Sequence, residues 1–219
     1  MSDATTCAIE VSDLSVCYGK NTVLRDFSLS VHQGETVLIQ GLSGSGKSTL
    51  LHVICGLIPT VIEADVSGTV LVYDKPVTEL TISERAENIG IVFQNPETQL
   101  FCDTVEDEIA FGLENLCTPV SEISERINRV LDLVDMESYR YASPRELSGG
   151  QKQRVVLAAV LALEPKILLL DEALSQLDSI GKAAMLKHLK HLKNQNCTML
   201  MVDHDDHLSE IASRTIEIS

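Results

Sequence analysis

Along this 219-residue chain, short apolar runs alternate with longer stretches in which apolar residues recur every three or four positions. The first pattern predicts strands buried on both faces, the second helices packed on one. Residues 7–40 read as β: Ala8–Val16 alternates in part, Asp26–Val31 alternates well, and Tyr18-Gly-Lys-Asn21 is a turn between them. Glu35–Gln40 is a buried strand. Leu50, Leu51, Val53, Ile54 and Leu57 then predict a helix that ends near Gly56, with Pro59 blocking its continuation. Gly68–Tyr73 is a strand before an Asp74-Lys-Pro76 turn, and Asn88–Phe93 is a buried strand. Residues 97–145 read as mainly helical, with Val105, Ile109 and Leu113 on one face and Ile123, Ile127, Val130, Leu131 and Val134 on another, separated by Pro119. A further helix runs through Val155, Val156, Ala159, Val160 and Leu163 until Pro165 stops it. Strand Ile167–Leu170, a helix with Lys182, Lys187, Lys190 and Lys193, and strand Cys197–Val202 complete the reading.

Several of these elements begin or end on chemistry. Between strand and helix stands Gly41-Leu-Ser-Gly-Ser-Gly-Lys-Ser48, which reads G-x-x-x-x-G-K-S. In that context the glycines let successive N–H groups surround phosphates, Lys47 reaches the β- and γ-phosphates, and the Ser48 hydroxyl suits Mg²⁺. The 167–170 strand closes on Asp171-Glu172, a pairing suited to a metal contact and a general base. The 88–93 strand closes on Gln94, either a metal or water ligand or an ordinary strand-to-loop step. The last strand closes on Asp203-His204-Asp205, where His204 is either an exposed histidine or a third polar strand end in one site. Ser148 and Gln151 fit a capping box, yet Gly149 and Gly150 between them are not needed for a cap and leave N–H groups open to an anion. Tyr18 is a strand-end aromatic or a ring for stacking on a base. Leu100-Phe101 is an apolar pair in a loop, to be tucked into the core or presented for docking.

Composition narrows the class. Seventeen basic against 32 acidic residues give a net charge of −15, which disfavours an extended nucleic-acid surface. The six cysteines contain no C-x-x-C pair, the pattern of reduced thiols in a cytosolic protein. The longest apolar run, Val155–Leu163, is far short of the roughly twenty residues of a membrane span. No basic, apolar leader stands at the N-terminus, so a soluble protein is expected.

Taken in order, Gly41–Ser48, Gln94, Leu147-Ser-Gly-Gly-Gln151, Asp171-Glu172, Ser175–Asp178 and His204 resemble the motifs of the ATP-binding-cassette (ABC) ATPases over nearly the whole chain. The resemblance implies an α/β fold of the P-loop NTPase class. In it a RecA-like parallel-sheet core, an antiparallel β subdomain and an α-helical signature subdomain (about 97–160) form one domain over 1–219. It implies ATP contacts from Tyr18, Gly41, Ser43, Gly44, Ser45, Gly46, Lys47, Ser48 and Thr49, and Mg²⁺ held by Ser48, Gln94 and Asp171. Glu172 is then the catalytic base, His204 the switch that contacts the γ-phosphate, and Gln94 the sensor of metal and attacking water. Leu147, Ser148, Gly149, Gly150 and Gln151 contact ATP across a head-to-tail dimer, and Ser175 and Asp178 couple its two sites. The chain departs from the family at Ala173-Leu174, where Pro-Thr is usual, and at Asp203, where Thr or Ser is usual.

Gln94–Phe101 and Thr104–Gly112 are similar to the ATPases of energy-coupling-factor (ECF) importers, which take up vitamins, cobalt or nickel. That resemblance implies a second cassette, identical or related, and a transmembrane coupling protein, with the chain peripheral on the cytoplasmic face of the membrane and no nucleic-acid partner. The alternatives are a soluble ABC mechanoenzyme and an exporter ATPase. A small-molecule kinase would share the phosphate loop but lack the signature and the switch histidine.

Overall fold

The computed structural model describes residues 6–175, 177–204 and 206–218. The predicted Ser175–Asp178 turn and Asp203-His204-Asp205 end each include a residue outside that set, Gln176 and Asp205 respectively. Five strands form an all-parallel sheet: β3 (Thr36–Gly41), β6 (Ile89–Val92), β7 (Ile167–Asp171), β8 (Thr198–Val202) and β9 (Arg214–Ile218), in the order β6-β7-β8-β3-β9. A second, antiparallel sheet has the order β2-β1-β4-β5, from β1 (Cys7–Tyr18), β2 (Asn21–His32), β4 (Asp65–Val72) and β5 (Lys75–Pro76). The helices are α1 (Lys47–Ile54), α2 (Ile82–Asn88), α3 (Val105–Asn115), α4 (Val120–Leu133), α5 (Gly149–Ala162) and α6 (Ser179–Asn194).

The parallel strands read as continuous apolar runs because both faces are covered. Leu38, Val92, Leu168, Leu170, Met199 and Met201 enter one apolar cluster with α3–α6. Val37, Ile39, Ile89, Ile167, Leu169, Leu200 and Val202 enter another with α1 and the antiparallel sheet. This is the period of two of a strand, with alternate residues facing opposite layers. Each fully buried side chain of this kind contributes about 1.5–3 kcal/mol. In the helical layer the predicted faces are the buried ones, Val105, Ile109 and Leu113 of α3 and Ile127, Val130 and Leu131 of α4 with Val134 just beyond it, except that Ile123 is half-buried.

Several elements differ from the sequence expectation. Strand β4 starts at Asp65, before Gly68, whose φ of +91° lets it pass 2.5 Å (at a would-be Cβ) from the Asp13 carbonyl in the irregular β1–β4 pairing. The turn after it is made by Tyr73 and Asp74, both at positive φ, and Lys75-Pro76 already pairs back. Helix α2 was not expected, since it buries none of its residues; its cue is Thr81-Ile-Ser-Glu84, a reciprocal capping box. Strand β9 was not expected either, being a short alternating segment at the sheet edge. Residues 97–145 are mainly helical as expected, in α3 and α4, with 3-10 turns at Pro96–Thr98, Glu137–Tyr139 and Pro144–Glu146 and irregular chain between.

Candidate functional site

The carboxyl ends of the parallel strands meet on one edge of the sheet, the usual place for a ligand in such folds. Register fixes which residues arrive together: Ile39 pairs with Val202 and Val202 with Asp171, so Glu172 and Asp203 lie one step beyond that row.

Strand β3 ends at Gly41 and α1 begins at Lys47, so the glycine-rich segment forms the turn between them. Gly46 stands at the N-cap of α1 with φ +92°, and a Cβ there would sit 2.8 Å from the Val23 carbonyl; only glycine fits. No side chain caps α1. Its first N–H groups therefore remain for an anion, helped by the helix dipole. Ser45 Oγ is buried without a hydrogen-bond partner among the described residues. The Lys47 ammonium, 5% exposed, donates at 2.8 Å to both the Gly41 and Leu42 carbonyls, which places a cation at the mouth of the turn.

Opposite the helix start, Ser48 Oγ donates to Asp171 Oδ1 at 2.9 Å. Burial raises the Asp171 carboxyl above its ordinary value, with the Ser48 hydroxyl and the His52 ring pulling the other way. Glu172 follows with φ +45°, a left-handed backbone for a non-glycine residue, and its N–H is held by the Val202 carbonyl at 2.7 Å. Such strain costs about 1–3 kcal/mol and gathers at functional sites. Gln94 Nε2 donates to Glu172 Oε2 at 2.6 Å, and His204 Nε2 lies 3.6 Å from Glu172 Oε1. Three strand ends that are distant in sequence thus meet at one carboxylate. Asp203 is buried while His204 is exposed. Ala173 and Leu174, the departures from the family pattern, are buried in the helical-layer cluster.

Ser148 and Gln151 form the capping box at the start of α5, with Gln151 N donating to Ser148 Oγ at 3.3 Å and Ser148 N to Gln151 Oε1 at 2.9 Å. Leu147 is buried; Ser148 and Gly149 are exposed and Gly150 half-buried. Among the described residues, no hydrogen bond joins this segment to the glycine-rich turn. Asp178 caps α6 through Gly181 N at 2.7 Å, and Ser175 N donates to the Glu172 carbonyl at 3.0 Å. Tyr18 ends β1 half-buried against the second cluster, Ser43 and Gly44 are exposed, and Thr49 is half-buried in α1.

The structure divides the Leu100-Phe101 pair. Leu100 packs on the helical-layer cluster, whereas Phe101 is 60% exposed with its ring edge-on to Phe111 at 4.7 Å. Sequence reasoning missed the residues that hold this loop. Gln99 Oε1 accepts from Phe93 N at 2.8 Å and Gln99 Nε2 donates to Ile91 O at 3.1 Å. Gln153, 1% exposed, donates to Phe93 O at 3.2 Å. His52 was also missed; its ring stands edge-on to Phe93, and burial lowers its pKa against the pull of Asp171. The cue for Gln153 and His52 is their phase on α5 and α1, whose buried faces they share or border.

Comparison with known proteins identifies the family. The sequence model of the ABC transporter family matches residues 24–175. The energy-coupling factor transporter ATP-binding protein EcfA1 of Leuconostoc mesenteroides is 40% identical over 215 residues, which is 97% of this chain and 77% of that protein. Among solved structures, CbiO1 of Clostridium perfringens, part of the ABC transporter complex cbiONQ, superposes with a TM-score of 0.85 at 31% identity, covering 98% of this chain and 85% of that one. The ATP-binding cassette MJ0796, a dimer in a post-hydrolysis state with ADP and Pi, superposes with a TM-score of 0.84 at 27% identity, covering 96% and 94%. With its parallel core sheet, antiparallel sheet and helical layer, the chain belongs to the ABC transporter family of ATP-binding-cassette ATPases.

Proposed function

We propose that this cassette is the ATP-hydrolysing subunit of an ECF-type importer that takes up a vitamin or a transition-metal ion. The observation that carries the reading is one loop. It starts at Gln94, bonded to Glu172, and ends at the exposed Phe101 ring, so a partner of the hydrolytic carboxylate and an apolar surface knob share one short segment. The similarity to EcfA1 along nearly the whole chain supports the ECF class.

In this reading the glycine-rich turn, Lys47 and the α1 N-terminus hold the phosphates of ATP, and Tyr18 stacks on the adenine. Glu172 takes a proton from the attacking water, which Gln94 orients and His204 helps to align against the γ-phosphate. The donor set fits Mg²⁺: Ser48 Oγ and the Asp171 carboxylate are hard oxygen ligands already within hydrogen-bond distance of each other, and the Gln94 amide oxygen would be the third. When bound, the ion neutralises charge on the β- and γ-phosphates. Leu147–Gln151 serve the ATP of a second cassette, identical or related. The exposed Ser148 and Gly149, at a helix start that makes no hydrogen bond to its own phosphate loop among the described residues, support this. Ser175 and Asp178 lie between the two sites. The transmembrane partner docks at Phe101, which places the cassette on the inner face of the membrane.

Two outcomes test the assignment. Asp171→Asn keeps an oxygen for Ser48 but removes the buried charge. Because the folded-state carboxyl is raised, its ionisation at neutral pH opposes folding, and this variant should melt at the same or a higher temperature than the parent. Its Mg²⁺-dependent hydrolysis should fall by about a hundredfold or more, the scale of losing one preorganised charge contact. A large loss of melting temperature would mean that Asp171 serves the fold. Phe101→Ala should keep basal hydrolysis within about twofold, since its ring is mostly solvent-facing, and should abolish transport by the assembled importer. Collapse of basal hydrolysis in that variant would make Phe101 part of the core and remove the docking role.

A further inference from the structure

Glu108 is an acid where the helix phase calls for an apolar residue. It lies on the α3 face with Val105, Ile109 and Gly112, and is 6% exposed, while Asp107 is exposed and Glu106 is half-buried against Arg140. Buried carboxylates persist where they are hydrogen-bonded. Here a single oxygen, Glu108 Oε2, accepts from Phe101 N at 2.9 Å and from Cys102 N at 2.8 Å. The acid also stands in the first turn of its helix, where the dipole favours negative charge. The loop from Gln94 to Cys102 is tied at its other end as well. Gln99 bonds both ways to the β6 strand end, Glu97 pairs with Lys152 at 2.5 Å, and Gln153 holds Phe93 O. The side of the loop that bears the Phe101 ring depends on Glu108 for its backbone anchor.

We propose that Glu108 is a positioning residue for partner engagement, its carboxylate fixing the Phe101–Cys102 backbone so that the Phe101 ring faces the membrane partner. This rests on the importer reading above and adds to it the part that sets the knob. Gln99 makes the loop continuous with Gln94, so a displacement imposed at Phe101 reaches Glu172 through a braced segment. Both N–H groups use one oxygen. An amide at this position therefore retains the acceptor, whereas a methyl group does not.

The test compares the full-length parent with Glu108→Ala and Glu108→Gln, each tagged and purified from detergent-solubilised host membranes. Glu108→Ala should recover less than about a tenth of the parent's membrane protein, and Glu108→Gln at least about half, following loss or retention of the acceptor. Basal hydrolysis should stay within about twofold in both. A second readout is local. Burial and the Glu108 carboxylate push the Cys102 thiol up to about 11. Maleimide labelling of Cys102, scored by peptide mass spectrometry against the exposed Cys117, should therefore rise about tenfold or more in Glu108→Ala. Unchanged Cys102 labelling with unchanged membrane-protein recovery in Glu108→Ala overturns the proposal. So does a Glu108→Gln variant as deficient as Glu108→Ala. If the parent itself recovers no membrane protein, the importer reading fails and the proposal with it.

Discussion

The Glu172→Gln variant is expected to lose about a thousandfold in ATP turnover, within the range supplied by a positioned general base. The amide keeps the volume of the side chain and an oxygen for the Gln94 N–H, so the strand end should not rearrange. It cannot accept a proton from water. Nucleotide affinity should be unchanged, because Lys47 and the glycine-rich turn are untouched. Binding should then outlive hydrolysis and the closed pair should accumulate with ATP. Size-exclusion chromatography with light scattering should report a dimer in the presence of ATP and Mg²⁺, and a monomer without them. Turnover at the parent rate would remove Glu172 from the mechanism, and the strained φ of +45° would need another cause.

The second large effect is at Lys47. Its ammonium donates to two loop carbonyls at 2.8 Å and is almost wholly buried, so it is already placed at the site the phosphates would occupy. Charge-assisted hydrogen bonds are worth about 1.5–3 kcal/mol each. Two such bonds to phosphate oxygens amount to about 3–6 kcal/mol, or a loss of about 10²–10⁴ in affinity on Lys47→Ala. Titration with a fluorescent ATP analogue measures this directly. An affinity within about threefold of the parent would mean that the glycine turn and α1 hold nucleotide by themselves. Lys47→Arg should not restore binding, since the planar guanidinium cannot reproduce a point charge between two carbonyls.

Asp171-Glu172 was legible as a polar strand end, whereas Gln94 and His204 read equally as ordinary strand-end residues until the motifs are taken together. Asp171, Glu172, Gln94 and His204 each follow a continuous apolar run, and a parallel sheet places the carboxyl ends of such runs along one edge. Which end meets which is set by register and by β7 lying between β6 and β8, and sequence pattern does not carry that information. The phosphate loop was legible because strand, glycines and helix stand in one continuous stretch. Helix α2 and strand β9 were not, since α2 turns no apolar face inward and β9 is a short edge strand. Phe101 and Leu100 are chemically alike, and only tertiary packing divides them. Glu108 stands in a run of three acids, and its buried position is visible only in its phase with Val105 and Ile109. Tyr18 ends a strand as the pattern predicts, half-buried beside the second cluster.

The central claim is that ATP hydrolysis at Glu172 serves a membrane partner held through Phe101. Its most direct test is to purify the tagged parent protein from detergent-solubilised membranes of its host and identify by mass spectrometry what accompanies it. The account predicts a polytopic membrane protein in stoichiometric amount, with or without a second cassette, and its loss from the Phe101→Ala preparation. Recovery with ribosomes or nucleic acid at moderate salt, and with no membrane protein, would contradict it.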